Sequence, residues 1–407
     1  MSKTKPEQRI ADRFTPKRTA AQRILFFLLQ NLKGGELQVA LPDGEVVTFG
    51  KSSADGAAVL KVHDNAFFNR TLRHGAMGFA ESYMDGQWSS PDIAKLLILF
   101  NNNMTMLQKS IGKNRLTQWL NRIIHILRPN TREGAKRNIH AHYDLGNDFF
   151  SLWLDETLTY SSAIFENENQ ALSEAQNNKY QKLINLLKPS DNSKVLEIGC
   201  GWGGFAEYFG KNYNSKLDCI TISKKQYDFA KERIHKVGLN EKVNIEIKDY
   251  RDLQSKYDSI VSIEMIEAVG QNYLQNYFNT IKSNISDTGN VAIQAITIHD
   301  SLFDRYKNKQ DFIQKYIFPG GFLPSKKSLY KYAEDNGLKF NEYNSYARHY
   351  SDTLAIWRNE FNKKWNLIKN QGFDLNFKKM WEFYLSYCEA GFKSKNIDLI
   401  QFSLCNK

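Results

Sequence analysis

The stretch Val195-Leu196-Glu197-Ile198-Gly199-Cys200-Gly201-Trp202-Gly203-Gly204 constrains this chain more than any other. A short apolar run containing one acid breaks into closely spaced glycines, and residues 205–209 can open a helix directly after them. That order reads as strand, tight turn and helix, the opening of a βα unit. Glycine lets the backbone turn with positive φ and lets a ligand lie against the main chain with no Cβ in the way. The missing GK[ST] ending excludes a Walker-type phosphate loop.

Two readings of the loop remain, a dinucleotide fold and an S-adenosylmethionine (SAM) fold. A nicotinamide site wants an acid about 20 residues past the glycines, at the end of the second strand. Here that strand runs into Thr221-Ile222-Ser223-Lys224-Lys225-Gln226, and the nearest acid, Asp218, lies inside it. The dinucleotide reading loses ground, and Ser223 and Gln226 are placed to address a ribose instead. Asp249-Tyr250-Arg251 ends the third strand, where an adenine would lie; capping a helix is the alternative role for Asp249. Glu264-Met265-Ile266-Glu267 ends the fourth, and a carboxylate there faces the centre of the cleft. A lone buried carboxylate at Glu267 is costly without a functional reason.

Around the loop, helical and strand patterns alternate: helices over 177–187, 205–212, 226–237 and 273–284, strands over 194–198, 216–222, 243–248, 259–263 and 290–298. Alternation of this kind predicts a parallel sheet with both faces covered, and ligands beyond the carboxyl ends of its strands. The N-terminal region is organised differently. Strand patterns at 37–41 and 46–49 flank Pro42-Asp43-Gly44, a further strand covers 58–63, and helices are predicted at 67–71, 78–83 and 91–101. An amphipathic stripe of Leu116, Trp119, Leu120, Ile123, Ile124 and Leu127 follows, then a linker over 129–136. A chain of 407 residues can bury two cores. The expected architecture is therefore α/β, a Rossmann-like domain over 129–407 (of the class I SAM-methyltransferase kind on the SAM reading of the loop) with a smaller N-terminal α+β domain over 1–128.

Charge and cysteine narrow the setting. The net charge is +11, but residues 1–35 carry eight Lys/Arg against two acids, and residues 108–137 carry eight against one. Localised basic charge points to a polyanionic partner, nucleic acid or an anionic lipid surface. Basic residues are not interleaved with aromatics as in an RNA module, so nucleic acid is set aside. The apolar run 24–29 is too short to span a bilayer and shows no cleavage pattern. Cys200, Cys219, Cys388 and Cys405 show no pairing or metal spacing, which suits a reduced, cytoplasmic setting. His140 and His142 have no third ligand nearby, so no metal is expected. Phe149, Phe150 and Trp153 read as core or as a wall against an acyl chain.

Taken in order, His142-Tyr143-Asp144, Tyr160-Ser161, the 197–204 loop, Thr221-Ile222-Ser223 with Gln226, Asp249-Tyr250-Arg251, Glu267-Ala268-Val269-Gly270, Tyr316-Ile317-Phe318-Pro319-Gly320-Gly321, Tyr350 and Cys388-Glu389-Ala390-Gly391-Phe392 form a pattern. From about residue 135 onward the chain resembles the cyclopropane-fatty-acyl-phospholipid synthases and the related mycolic acid methyltransferases. Residues 75–88 also resemble that family's extra domain.

The resemblance implies attack of a cis alkene of a phospholipid acyl chain on the SAM methyl, then loss of a proton from the new methyl as a cyclopropane closes. In the family a bound bicarbonate takes that proton. Carried over, Tyr160 and Ser161 meet the amino-acid end of SAM. Glu197, Gly199, Cys200, Gly201, Trp202 and Gly203 form its cradle. Thr221, Ile222, Ser223 and Gln226 lie on the ribose side, and Asp249, Tyr250 and Arg251 at the adenine. Glu267, Tyr350 and Ile296 match the bicarbonate pocket, with Ser162 and Gln294 at two more of its positions. Cys388 matches a cysteine assigned a catalytic role; nothing flanking it lowers a thiol pKa, so lining the pocket is the expected role. Ser162 stands where a cysteine is usual, and Ala268 and Gln294 where histidines are. Ser162 and Gln294 can still hydrogen-bond an anion and Ala268 cannot. The base position then decides between a ring and a methylene or methyl branch. The expected partner is an unsaturated phospholipid in an anionic membrane surface, reached by peripheral association; a homodimer is left open. The competing readings are an N-methyltransferase of a soluble amine and a nonenzymatic lipid- or RNA-binding protein.

Overall fold

A computed structural model describes residues 18–104 and 145–407, which fall in two units taken separately here. The boundary expected at residue 128, the 115–128 stripe, the linker, and His140, His142, Tyr143 and Asp144 lie outside the described residues.

In the first unit, helix α1 (Ala20–Leu29) starts at a capping box in which Thr19 and Gln22 satisfy each other's backbone N–H groups. Strands β1 (Glu36–Ala40) and β2 (Val46–Gly50) form an antiparallel hairpin over Pro42-Asp43-Gly44, with Gly44 at φ +89°. Strand β3 (Ala58–Val62) joins β1 in parallel. Helix α2 (Ala66–Met84), strand β4 (Trp88–Ser89) and helix α3 (Ile93–Asn102) complete the unit in sheet order β2-β1-β3-β4. The two helices predicted over 67–71 and 78–83 are one element broken by a kink at Gly75. Phe67, Phe68, Phe79 and Trp88 form the core, and the Trp88 indole donates to the Phe79 carbonyl at 2.9 Å. The expected α+β character holds.

The second unit is built on seven strands. Helices α4 (Asn147–Ser151) and α5 (Leu172–Leu187) precede β5 (Lys194–Ile198), α6 (Gly204–Asn212), β6 (Lys216–Thr221), α7 (Lys224–Lys236), β7 (Val243–Ile247) and β8 (Tyr257–Ile263). Then come α8 (Leu274–Asn284), β9 (Ile285–Ile298), α9 (Asp300–Tyr306), α10 (Lys326–Asp335), β10 (Leu338–Ser345), α11 (Ala347–Lys363), α12 (Trp365–Asn370), α13 (Leu375–Lys393) and β11 (Ile397–Asn406). The order is β10-β11-β9-β8-β5-β6-β7, parallel from β9 to β7 with β11 antiparallel between β9 and β10. Successive strand residues point to opposite faces, and both faces are dry. Val195, Val261 and Ala292 pack with α5 and α6 residues Leu183, Phe205 and Phe209. Leu196, Ile260 and Ile293 pack with Tyr277, Phe278 and Leu329 of α8 and α10. The predicted parallel α/β core is present. The sequence pattern had ended the strands at residue 298; β10 and β11 add an antiparallel edge. Order reverses between β5 and β8, so the cleft at such a switch point lies beyond Ile198 and Ile263.

Candidate active site

The glycine loop sits where strand order reverses. Gly199, Gly201 and Gly203 have φ of +86°, +52° and +82°. A Cβ at Gly199 would meet the Met265 side chain at 2.9 Å, and one at Gly204 would meet the Tyr180 hydroxyl at 2.6 Å. These glycines allow close packing. Gly201 differs, because a Cβ there would meet nothing within 4 Å. It is the bare cradle position, two residues before Gly203, the N-cap of α6. Within the loop, Glu197 is buried and accepts from the Cys219 thiol at 3.3 Å; burial raises its pKa to about 7. Cys200 is buried, its thiol pushed well up by desolvation. The Trp202 indole donates to Asn147 at 2.8 Å, anchoring the loop to α4.

At the end of β6 the groups expected on the ribose side serve the turn. Ser223 caps α7 through the Gln226 N–H, and the Thr221 hydroxyl donates to the Gln226 side chain at 3.0 Å. Ile222 lies half-buried between them. Asp218 points along β6 to Lys194 at 3.3 Å, away from the strand end, so no acid waits there for a ribose. Asp249 does cap a short helical turn, and it also grips Arg251 with both carboxylate oxygens. Tyr250 packs edge-on against Tyr277.

The decisive arrangement lies at the ends of β8 and β9. Ser162, Gln294 and Tyr350, expected to share a pocket with Glu267, converge on Glu264. Glu264 Oε1 accepts from the Ser162 backbone N–H at 2.9 Å and from Gln294 Nε2 at 2.7 Å, and Oε2 accepts from the Tyr350 hydroxyl at 2.6 Å. Burial raises the Glu264 pKa, opposed first by the Tyr350 hydroxyl and then by the Lys179 charge. Glu267 takes the Ile296 N–H on Oε1 at 2.5 Å, while its buried Oε2 has no partner among the described residues. Burial, helped by the nearby Glu264 charge, pushes Glu267 up to about 8. The Glu267 carbonyl accepts from the Phe322 N–H at 2.9 Å, which ties it to the Pro319-Gly320-Gly321 run. The Ser162 hydroxyl faces the Ala163 carbonyl instead of the carboxylate.

Ser161 and Tyr160 are held from other directions. Lys179 of α5 is fully buried and donates to the Ser161 hydroxyl at 2.7 Å and to Gln176 at 2.6 Å. Burial brings its pKa down to about 7. The Tyr160 hydroxyl meets the Tyr384 hydroxyl at 2.6 Å. Phe149, Phe150 and Trp153 are buried in a ring cluster with Trp381, which is the core alternative. Burial, with the Asp311 charge adding to it, drives the Cys388 thiol far above the ordinary range. Sequence reasoning named Glu264 only within its strand-end run and passed over Lys179 and Gln401. Lys179 was visible as a lysine on the buried stripe of α5 with Ala175, Tyr180 and Leu183. Glu264 was visible as an acid following the β8 pattern. Gln401 gives no signal, since only the pairing of β11 with β9 sets it opposite Gln294.

A parallel sheet with an antiparallel edge, a glycine cradle at the switch point and no ribose acid define a SAM-dependent methyltransferase of the class I fold, and the open Gly201 position suits that cofactor. The model of the mycolic acid cyclopropane synthetase family matches residues 130–402, and the chain belongs to that family. It is 37% identical over 376 residues to tuberculostearic acid methyltransferase UfaA1 of Mycobacterium tuberculosis, covering 88% of this chain and 87% of the relative. It is 33% identical to cyclopropane-fatty-acyl-phospholipid synthase of Escherichia coli K12, covering 84% and 87%. The solved mycolic acid cyclopropane synthase CmaA1, complexed with SAH, superposes with a TM-score of 0.63 at 27% identity, over 67% of this chain and 98% of that one. Coclaurine N-methyltransferase matches with a TM-score of 0.63 at 18% identity, over 81% and 99%, a likeness of fold alone.

Proposed function

We propose that this enzyme transfers the methyl carbon of SAM to the cis double bond of an unsaturated phospholipid acyl chain and closes a cyclopropane. Bound SAM supplies an electrophilic sulfonium methyl. The loop 199–203, with Tyr160 and Ser161, holds and orients it, and alignment is the main lever for so weak a nucleophile as an alkene. The observation that carries the reading is the pair of buried carboxyl groups, Glu264 and Glu267, at the strand ends beside that loop. Negative charge fixed on Glu264 in a water-poor site stabilises positive charge developing on the acyl carbons. Gln294, Ser162 and Tyr350 keep that charge in place.

Expression in a host lacking cyclopropane lipids, followed by mass spectrometry of its acyl chains, tests the reading. A gain of one CH2 unit on unsaturated chains, with loss of reactivity toward double-bond derivatisation, is expected. A CH2 gain that keeps the alkene selects a second reading, a methylene-branched chain. A relative named as a tuberculostearic acid methyltransferase supports methyl transfer to an acyl chain. Methylation of soluble amines with no lipid product rejects both. The basic segments 1–35 and 108–137 support docking on anionic lipid as the route to the substrate.

A further inference from the structure

We propose that Glu264 is the built-in base of this reaction, its carboxylate filling the anion cage formed by the Ser162 N–H, the Gln294 amide and the Tyr350 hydroxyl. The inference rests on the acyl-methylation reading above and deepens it. Strand β8 ends at Ile263, and Glu264 turns back with φ +48°, a left-handed conformation that a non-glycine residue adopts only where its surroundings hold it. The surroundings hold it there. Its own N–H donates to the Gln294 carbonyl at 2.9 Å, and its two oxygens accept from three donors on three separate segments.

The cage is also preset. The Gln294 Oε1 accepts from Gln401 Nε2 at 2.8 Å, so the Gln294 NH2 must face Glu264. The Tyr350 ring stacks on Phe392 with centroids 4.3 Å apart, which aims its hydroxyl. Three donors on two oxygens suit any planar oxyanion, and here the chain supplies that oxyanion itself. No separate small anion is then needed.

Charge distributes accordingly. Glu267 has one hydrogen-bond donor against three for Glu264, so of the two carboxyl groups Glu264 is the one whose charged form the surrounding donors favour. From the α5 side the Lys179 charge favours the ionised Glu264 carboxyl. In the reaction the alkene electron pair forms a carbon–carbon bond to the methyl as the S–CH3 bond breaks, leaving SAH and a cationic acyl chain. The Glu264 carboxylate then takes a proton from the new methyl. The C–H electron pair closes the ring, or forms the methylene of the second product, and the carboxylic acid returns its proton to solvent.

The test uses the purified full chain, phosphatidylglycerol vesicles bearing cis-unsaturated chains, and buffer stripped of carbon dioxide. Wild-type turnover is expected to be the same with and without added bicarbonate. Glu264→Gln is expected to lose about 100-fold or more in turnover, while SAH affinity by calorimetry stays within about threefold, a change below 1 kcal/mol. Glu264→Gly empties the cage and suits the positive φ. Bicarbonate or formate is expected to restore its turnover and to raise its Tm, neither of which they do for wild type. Bicarbonate-dependent wild-type turnover overturns the proposal, as does a fully active Glu264→Gln or a Glu264→Gly that anions neither rescue nor stabilise. If wild type methylates no acyl chain at all, the functional reading fails, and the anion-dependent Tm of Glu264→Gly still reports on the cage.

Discussion

At the scale of single residues, the site separates two carboxyl groups three positions apart by what donates to each. Glu264 receives three hydrogen bonds, and Glu267 receives one and leaves an oxygen buried without a partner among the described residues. Such a group is harboured neutral. Folded Glu267 holds its proton up to about pH 8, whereas the unfolded chain releases it near the ordinary carboxyl range. Between those values the native state binds the extra proton, so its contribution to stability is full at low pH and is lost as pH rises through the window. Glu267→Gln removes that slope. Urea unfolding at pH 5.5 and pH 8.5 is expected to show wild type losing on the order of a few kcal/mol more than the variant over that interval; equal losses refute it. The same variant should bind SAH with an affinity by calorimetry within about threefold of wild type.

At the scale of elements, one loop carries two kinds of glycine. Gly199 is tight against Met265, the residue after Glu264, whereas Gly201 faces open space. Gly199→Ala combines a 2.9 Å clash with a φ of +86°, and it should cost about 1–3 kcal/mol of stability and lower Tm. Gly201→Ala has no clash, so it should cost less stability but more than tenfold in SAH affinity, about 1.4 kcal/mol, by filling the cradle. Thermal unfolding and calorimetry on both variants check the contrast; equal behaviour would show that the loop has only one role. The parallel strands and their helices were legible because each carries its own period, and the loop because glycine spacing is local. The β10–β11 edge was not, since an antiparallel insertion between β9 and β10 is set by pairing between segments over 100 residues apart.

At the scale of the whole molecule, net charge is concentrated in two segments while much of the site is buried and uncharged or paired. Each Lys or Arg near an anionic surface contributes about 1 kcal/mol and is screened over about 10 Å at 0.1 M salt. Co-sedimentation with phosphatidylglycerol vesicles is therefore expected to exceed that with neutral vesicles and to fall steeply with added salt. Binding indifferent to both would remove electrostatic docking. Among the described residues no helix is long and apolar enough to cross a membrane.

The sequence by itself determined the fold class and singled out the glycine loop, Ser162, Gln294 and Tyr350, because backbone freedom, hydrophobic period and motif order are local or ordered properties. Only the tertiary structure decided which carboxylate those three residues serve. Glu264 and Glu267 are nearly equivalent on the page, both acids just past one strand. A single left-handed residue at the strand end turns the first toward Ser162, Gln294 and Tyr350 and leaves the second to Ile296. Those donors come from segments up to about 190 residues apart, and only their packing assigns each hydrogen bond.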